Sequence, residues 1–258
     1  MMPLSEESAR QLDEDLSIAF ELDGEIVNNA ALVRLLRKQG SLPKIVQEWV
    51  LDRTLAQTNL PENEQQSLLS EFRQEQGLES EEAFQDFLLN RHIDQGLLMQ
   101  MLSRPHQVVL YREERWGPAV NSLYLQKKDQ FDRVCYRRLQ ASDSDVMQEI
   151  YFRLKGQEES WESLARQFPG APPDATALVG PVPVAEVEGP VLQQLRQLSP
   201  GKVARPLQLN DQVVVVALEE FIPSTLDQNI RDTLLRQTFE EWLQAECTRI
   251  LNKIEFPE

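Results

Sequence analysis

"LSPGKVARPLQLNDQVVVVALEE", residues 198–220, is the stretch that decides how this chain is read. Pro200-Gly201 marks a turn and Asn210-Asp211 marks a second one. Four valines then run from Val213 to Val216. Side chains alternate across a strand, so an unbroken valine run puts apolar groups on both faces. The stretch is therefore predicted to be a closing β-pair whose last strand is central and covered on both sides.

Upstream of this pair, strand and helix patterns follow one another. "RVCYRRLQ", 133–140, groups β-branched and aromatic residues and reads as a strand. "ASDSDVMQEIYFRLKGQ", 141–157, reads as a helix with Val146, Ile150, Tyr151 and Leu154 on one face. In "SWESLARQF", Trp161, Leu164, Ala165 and Phe168 make one apolar face of a second, short helix. "PGAPPDATALVGPVPV", 169–184, holds five prolines, and no long helix crosses it, so it reads as a loop. "AEVEGPVLQQLRQL", 185–198, again has helical spacing at Val187, Val191, Leu195 and Leu198. Beyond Pro223, Ser224 and Asp227 match a capping pattern that opens a long final helix.

The first 130 residues read as helix after helix. Asn28 and Asn29 suit a cap, and Gly40 a stop. Ser41 with Pro43, then Pro61, then Ser80 with Glu81 and Glu82 behind it, open three more. A longer helix is expected from about Pro105 to Gln130, kinked or broken at Gly117-Pro118.

The chain has 258 residues, 41% of them hydrophobic, and a formal net charge of −16. That balance disfavours nucleic acid, whose affinity comes largely from Lys and Arg on phosphate, and anionic membrane surfaces. No run of apolar residues is long enough for a transmembrane helix. The start, "MMPLSEESARQLDEDL", is acidic and has no secretory-signal pattern, so the expected location is cytoplasmic. Cys135 and Cys247 lie far apart, and neither a disulfide framework nor a zinc site is expected.

With these parts in order, residues 131–221 resemble the parvulin type of peptidyl-prolyl isomerase. The likeness is carried by "VCYRRL", "SWESLARQF", "ALVGPVP", "VLQQLRQLSPGKVARPLQLNDQ" and "VVVVALEE". Gly180 stands where the family's loop glycine belongs, and Ala177 replaces the glycine expected three residues earlier. The helical remainder, from "FELDGEIVNNAALVRLLRK" on, resembles SurA-like chaperones, and the whole layout is similar to cyanobacterial parvulin-like proteins without a signal peptide. The resemblance implies an α+β chain. Residues 1–130 and the helix 222–258 would form a helical chaperone domain. The module 131–221, ordered β-α-α-α-β-β, would be inserted between them.

Prolyl isomerisation makes no covalent bond. Its barrier of about 18–20 kcal/mol comes from amide resonance, and a catalyst must bind the twisted amide better than the planar one. No metal or cofactor is required. The resemblance implies a histidine on the first strand, near Tyr136 or Arg137, and another on the last, near Val213 or Val214. Neither is present, and His92 and His106 both lie in the helical half. Tyr136 and Asp174 are the candidates left for polar roles, Asp174 having a solvated turn residue as its alternative. Val187, Val191 and Leu192 fall where the family holds the proline ring, with ordinary core packing as the alternative, and Val214 is a further substrate-binding candidate. A charge at Val191 would abolish isomerisation on the first of these readings.

The function these readings imply is that of a parvulin-like peptidyl-prolyl isomerase and chaperone that binds unfolded or proline-containing polypeptides, with isomerase activity either weak or lost or retained without the histidines. The alternative is a non-catalytic adaptor or holdase assisting a protein-export apparatus. Neither involves nucleic acid or membrane insertion.

Overall fold

Asp23 and Gly24, both with positive φ (50° and 82°), turn the chain back on itself between β1 (Ile18–Leu22) and β2 (Glu25–Asn28). The computed structural model describes residues 18–167 and 176–255. This hairpin corrects the all-helical reading of the first half. An Asp-Gly pair suits the left-handed turn that a two-residue hairpin needs.

Asn28 then caps α1 (Asn29–Lys38), its Oδ1 accepting from the Ala31 N–H at 2.8 Å. α2 (Leu42–Leu55) has Pro43 in its first turn, and α3 (Glu62–Glu75) follows Pro61. Ser80 caps α4 (Glu81–Asn90) through the Ala83 N–H at 3.2 Å. α5 (Gln95–Trp116) opens at Asp94, whose Oδ1 accepts from the Leu97 N–H at 2.7 Å, and it runs through Pro105. The expected start at Pro105 is thus corrected. A side-chain cap at Asp94 fixes the terminus, and one missing backbone bond inside a helix of 22 residues does not end it.

The described residues of Met1–Pro118 and Leu235–Glu258 form one unit. Its larger core joins Val46, Val50 and Leu51 of α2 to Phe239 and Leu243 of the last helix, Gln228–Leu251. Tyr111, Trp116 and Trp242 pack against it, with ring centroids 5.9–6.0 Å apart. A smaller core holds Phe84, Leu88 and Leu98.

The described residues of Ala119–Leu234 form the other unit. The kink or break expected at Gly117-Pro118 is a 3-10 turn over Gly117–Ala119, followed by α6 (Val120–Gln126) and α7 (Lys128–Phe131). Then come β3 (Arg133–Ala141), α8 (Ser144–Gly156), α9 (Trp161–Gln167), β4 (Leu178–Pro183), α10 (Gly189–Leu195), β5 (Leu207–Leu209) and β6 (Gln212–Ile222). The strands form one antiparallel sheet in the order β4-β3-β6-β5. The last helix is α11.

The valine run lies in a central strand, and every residue from Val213 to Leu218 is buried. Val214, Val216 and Leu218 face a core shared with Val184, Val187, Val191 and Leu195. Val213 and Val215 face a second core with Met147, Ile150 and Leu154 of α8 and Leu164 of α9. Each face of one strand thus has its own helical cover, which is why the run needs no polar alternation.

The proline-rich stretch is not loop throughout. Leu178–Pro183 is an edge strand, so the module reads β-α-α-β-α-β-β. An edge strand has one unpaired side, where a proline without an N–H is tolerated. The final helix also starts later than the Ser224 pattern suggested. Asp227 Oδ1 accepts from the Ile230 N–H at 2.8 Å, while Ser224 is engaged elsewhere.

Candidate functional site

Tyr136, Arg138 and Gln140 alternate along β3 and so share one face of the sheet. That is the face covered by α10, since Tyr136 packs in the core with Val191 and Leu195. The register then decides who meets whom. Tyr136 lies opposite Leu218, and Val214 lies opposite Gln140 on one side and Leu207 on the other. Tyr136 and Val214 are therefore about 13 Å apart along the strands, four residues at 3.3 Å each. Gln140, not Tyr136 or Arg137, is the β3 residue that faces Val214.

The structure brings Tyr136, Val187, Val191 and Val214 into one cluster, with Leu192 packed against it. Their exposures are 4%, 7%, 0% and 0% in that order. Val191 and Val214 present no surface to solvent, while Leu192 is half-buried. Asp174 lies outside the described residues.

The polar side of this face was not foreseen. Arg138 Nη1 donates to Glu188 Oε1 at 2.7 Å, and its Nε donates to Gln140 Oε1 at 3.1 Å. Burial pushes the Tyr136 hydroxyl up, Glu188 adds to that, and neighbouring Arg138 opposes it. Burial also works to raise the Glu188 carboxyl, but the bonds from Arg138 and from backbone outweigh it, and the group titrates below the ordinary carboxylate range. Tyr136 is thus a neutral hydroxyl at physiological pH, Glu188 an anion, and Arg138 the cation between them. The sequence signal for this trio was the two-residue period of Tyr136, Arg138 and Gln140. Glu188, just before a helix, offered none.

Arg137, one residue on, points to the other face and ties elements together. Its guanidinium bonds to Glu162, to Glu219 and, at 2.9 Å, to the Thr176 carbonyl. Gly180, in β4, has φ +109°, and a Cβ there would sit 2.4 Å from the Val134 carbonyl oxygen. Ala177 takes φ +57° while fully buried, holding as an alanine the left-handed conformation that glycine adopts at less cost.

Neither cysteine carries a lowered thiol. Burial pushes the Cys135 thiol up, and Glu220 and Glu219 push it further, which disfavours a thiolate. Cys247 is raised likewise, by burial and by Glu246. Among the described residues no three His, Cys, Asp or Glu side chains gather as a metal-ligand set. No described helix is long and apolar enough to cross a membrane. The apolar side chains of this face are core, and the polar groups beside them are a neutral hydroxyl, a carboxamide and an ion pair.

No protein-family model matches the sequence, and no curated protein matches it. Solved structures do. The peptidylprolyl isomerase PrsA of Bacillus cereus matches over 95% of this chain and 95% of its own, with a TM-score of 0.52 and 14% identity. The foldase protein PrsA of Streptococcus pneumoniae matches over 94% and 96%, with a TM-score of 0.40 and 13% identity. A SurA-like chaperone of Campylobacter jejuni matches over 94% and 100%, with a TM-score of 0.36 and 15% identity. At 14% identity the likeness to the Bacillus cereus protein is one of fold. The chain has the α+β fold of that PrsA isomerase.

Proposed function

We propose that this chain binds unfolded or extended polypeptides, as a parvulin-like chaperone whose isomerase activity is weak or lost. One contrast carries the reading. The side chains expected to bind substrate are spent on the module's core, Val191 and Val214 at 0% exposure. Apolar side chains on the helical unit are left open instead: Ile45 46%, Trp49 50%, Leu97 44%, Met101 55% and Val109 53% exposed. Scattered apolar exposure is ordinary, but large exposed side chains of this kind are what a client with unburied apolar segments would meet. The fold shared with a peptidylprolyl isomerase supports the class of ligand, and the absence of histidine from the sheet supports weak chemistry.

Two assays test it. Added in several-fold excess to an aggregating client, the protein should suppress light scattering. In a protease-coupled assay on X-Pro peptides it should leave the rate near the uncatalysed one of tens of seconds or more. Aggregation that proceeds unchanged removes the chaperone reading. A strong acceleration across X-Pro peptides would make it a working isomerase that manages without histidines.

A further inference from the structure

We infer that the module carries a second peptide-binding site, at the end of the sheet away from Val214, which takes a large apolar side chain next to an acidic one. It rests on the chaperone reading only in the chemical class of its ligand. A cleft of about 300 Å3 lies between the start of β3 and the end of β6. Phe221 on its wall is seven residues along β6 from Val214, about 23 Å at 3.3 Å each.

The walls are apolar where the cleft is deepest. Val184 is 2% exposed, Phe221 is half-buried, and Ile222 and Pro223 are open to solvent. The volume is at the small end for ligand sites and suits one aromatic or leucine-sized side chain.

The charges around it are nearly all spoken for. Arg196 Nη2 donates to both Asp129 carboxylate oxygens, at 3.0 and 2.8 Å. Asp132 accepts from Lys128 and from Ser224. Arg133 differs: its Nη1 donates to the Pro181 carbonyl at 3.3 Å, and it has no ion pair among the described residues. In a chain of net charge −16, a guanidinium without a carboxylate partner beside an apolar cleft is a charge waiting for one. A ligand that puts its apolar side chain in the cleft and a carboxylate on Arg133 completes both halves.

Fluorescence polarisation on the full chain tests this with three labelled hexapeptides carrying a central Phe-Asp, Phe-Lys or Gly-Asp pair. The Phe-Asp peptide is expected to bind about tenfold tighter than either control, and Arg133→Glu to lose about tenfold while Arg133→Lys stays close to the parent. Circular dichroism should show the same melting for all three proteins, since Arg133 is exposed. Equal binding of the three peptides overturns the proposal, as does an Arg133→Glu chain that binds normally. Self-association in sedimentation velocity that Arg133→Glu abolishes also overturns it, because the cleft would then belong to a second copy. A chain that suppresses aggregation without any Phe-Asp preference overturns the cleft alone. The reverse pattern overturns the chaperone reading alone.

Discussion

The backbone N–H and the hydroxyl of Ser224 both donate to one oxygen of Asp132, each at 2.7 Å. Asp132 immediately precedes β3, and Ser224 follows β6, so the pair fastens the module's entry to its exit. Lys128 Nζ adds a bond to the same oxygen at 2.7 Å, and the Tyr124 hydroxyl donates to the Ser224 carbonyl at 2.7 Å. Burial raises the Asp132 carboxyl, but the bonds from Lys128 and Ser224 outweigh it and the group titrates below its ordinary value.

A lowered carboxylate stabilises the fold above its unfolded pKa and loses that contribution as pH falls through the folded one. The melting temperature should therefore drop on acidification below about pH 4, where free carboxylates titrate. Asp132→Ala should cost about 2 kcal/mol at neutral pH, typical of hydrogen bonds to a charged group, and should flatten that acid limb. Thermal melts from pH 7 to pH 3 check both. An unchanged acid limb in Asp132→Ala would assign it to other carboxylates.

Gly180 and Gly189 make opposite predictions. A Cβ at Gly180 would meet the Val134 carbonyl at 2.4 Å, on a backbone whose φ is +109°. Gly180→Ala should cost about 3 kcal/mol or more, because both the contact and the dihedral are unfavourable. At Gly189 nothing lies within 4 Å. Gly189→Ala should be neutral or stabilise by about 0.5 kcal/mol, by restricting the unfolded chain. Denaturant titrations of the two variants should therefore move in opposite directions or differ by severalfold.

The sheet was legible because the valine run forces a two-sided cover, and both covers exist. β4 was hidden because its prolines read as loop, and only an edge position reconciles them with a strand. The opening hairpin was announced by Asp23-Gly24 and lost among helix signals on either side. The site was less legible for a geometric reason. A resemblance places residues along the chain, but which of them face each other is set by register, and the β-bulge between Cys135 and Tyr136 shifts that register by one. Val214 thereby meets Gln140. Arg138 and Glu188 meet only through folding, 50 residues apart, and no local pattern announces them.

Burial also changes which variant tests the proline pocket. Val191 is 0% exposed among Leu195, Val187 and Val216. Val191→Asp should therefore unfold the module, since an unpaired buried carboxylate costs several kcal/mol or more. Loss of activity in that variant would say nothing about a pocket. Leu192, half-buried against the same cluster, is the better probe. Leu192→Ser should keep the near-ultraviolet spectrum and most of the stability. If residual isomerisation exists and depends on this face, the same variant should lower it; unaltered turnover would move the pocket elsewhere.

Trp49 and Met101 test the helical unit. Trp49 is 50% exposed, with the Arg53 guanidinium 5.3 Å from its ring centre, and Met101 is 55% exposed. Neither fills the unit's cores, so the double variant Trp49→Ser, Met101→Ser should stay within about 0.5 kcal/mol of the parent per site, the usual range for surface changes. If clients are held by these side chains, suppression of aggregation should fall by at least half at equal protein concentration, because apolar contact scales with exposed area at about 25 cal/mol per Å2. Stability and holding should thus separate: melting nearly unchanged, scattering clearly higher. A double variant that protects clients as well as the parent would shift the binding surface off α2 and α5, and a variant that melts early would show these side chains to be structural.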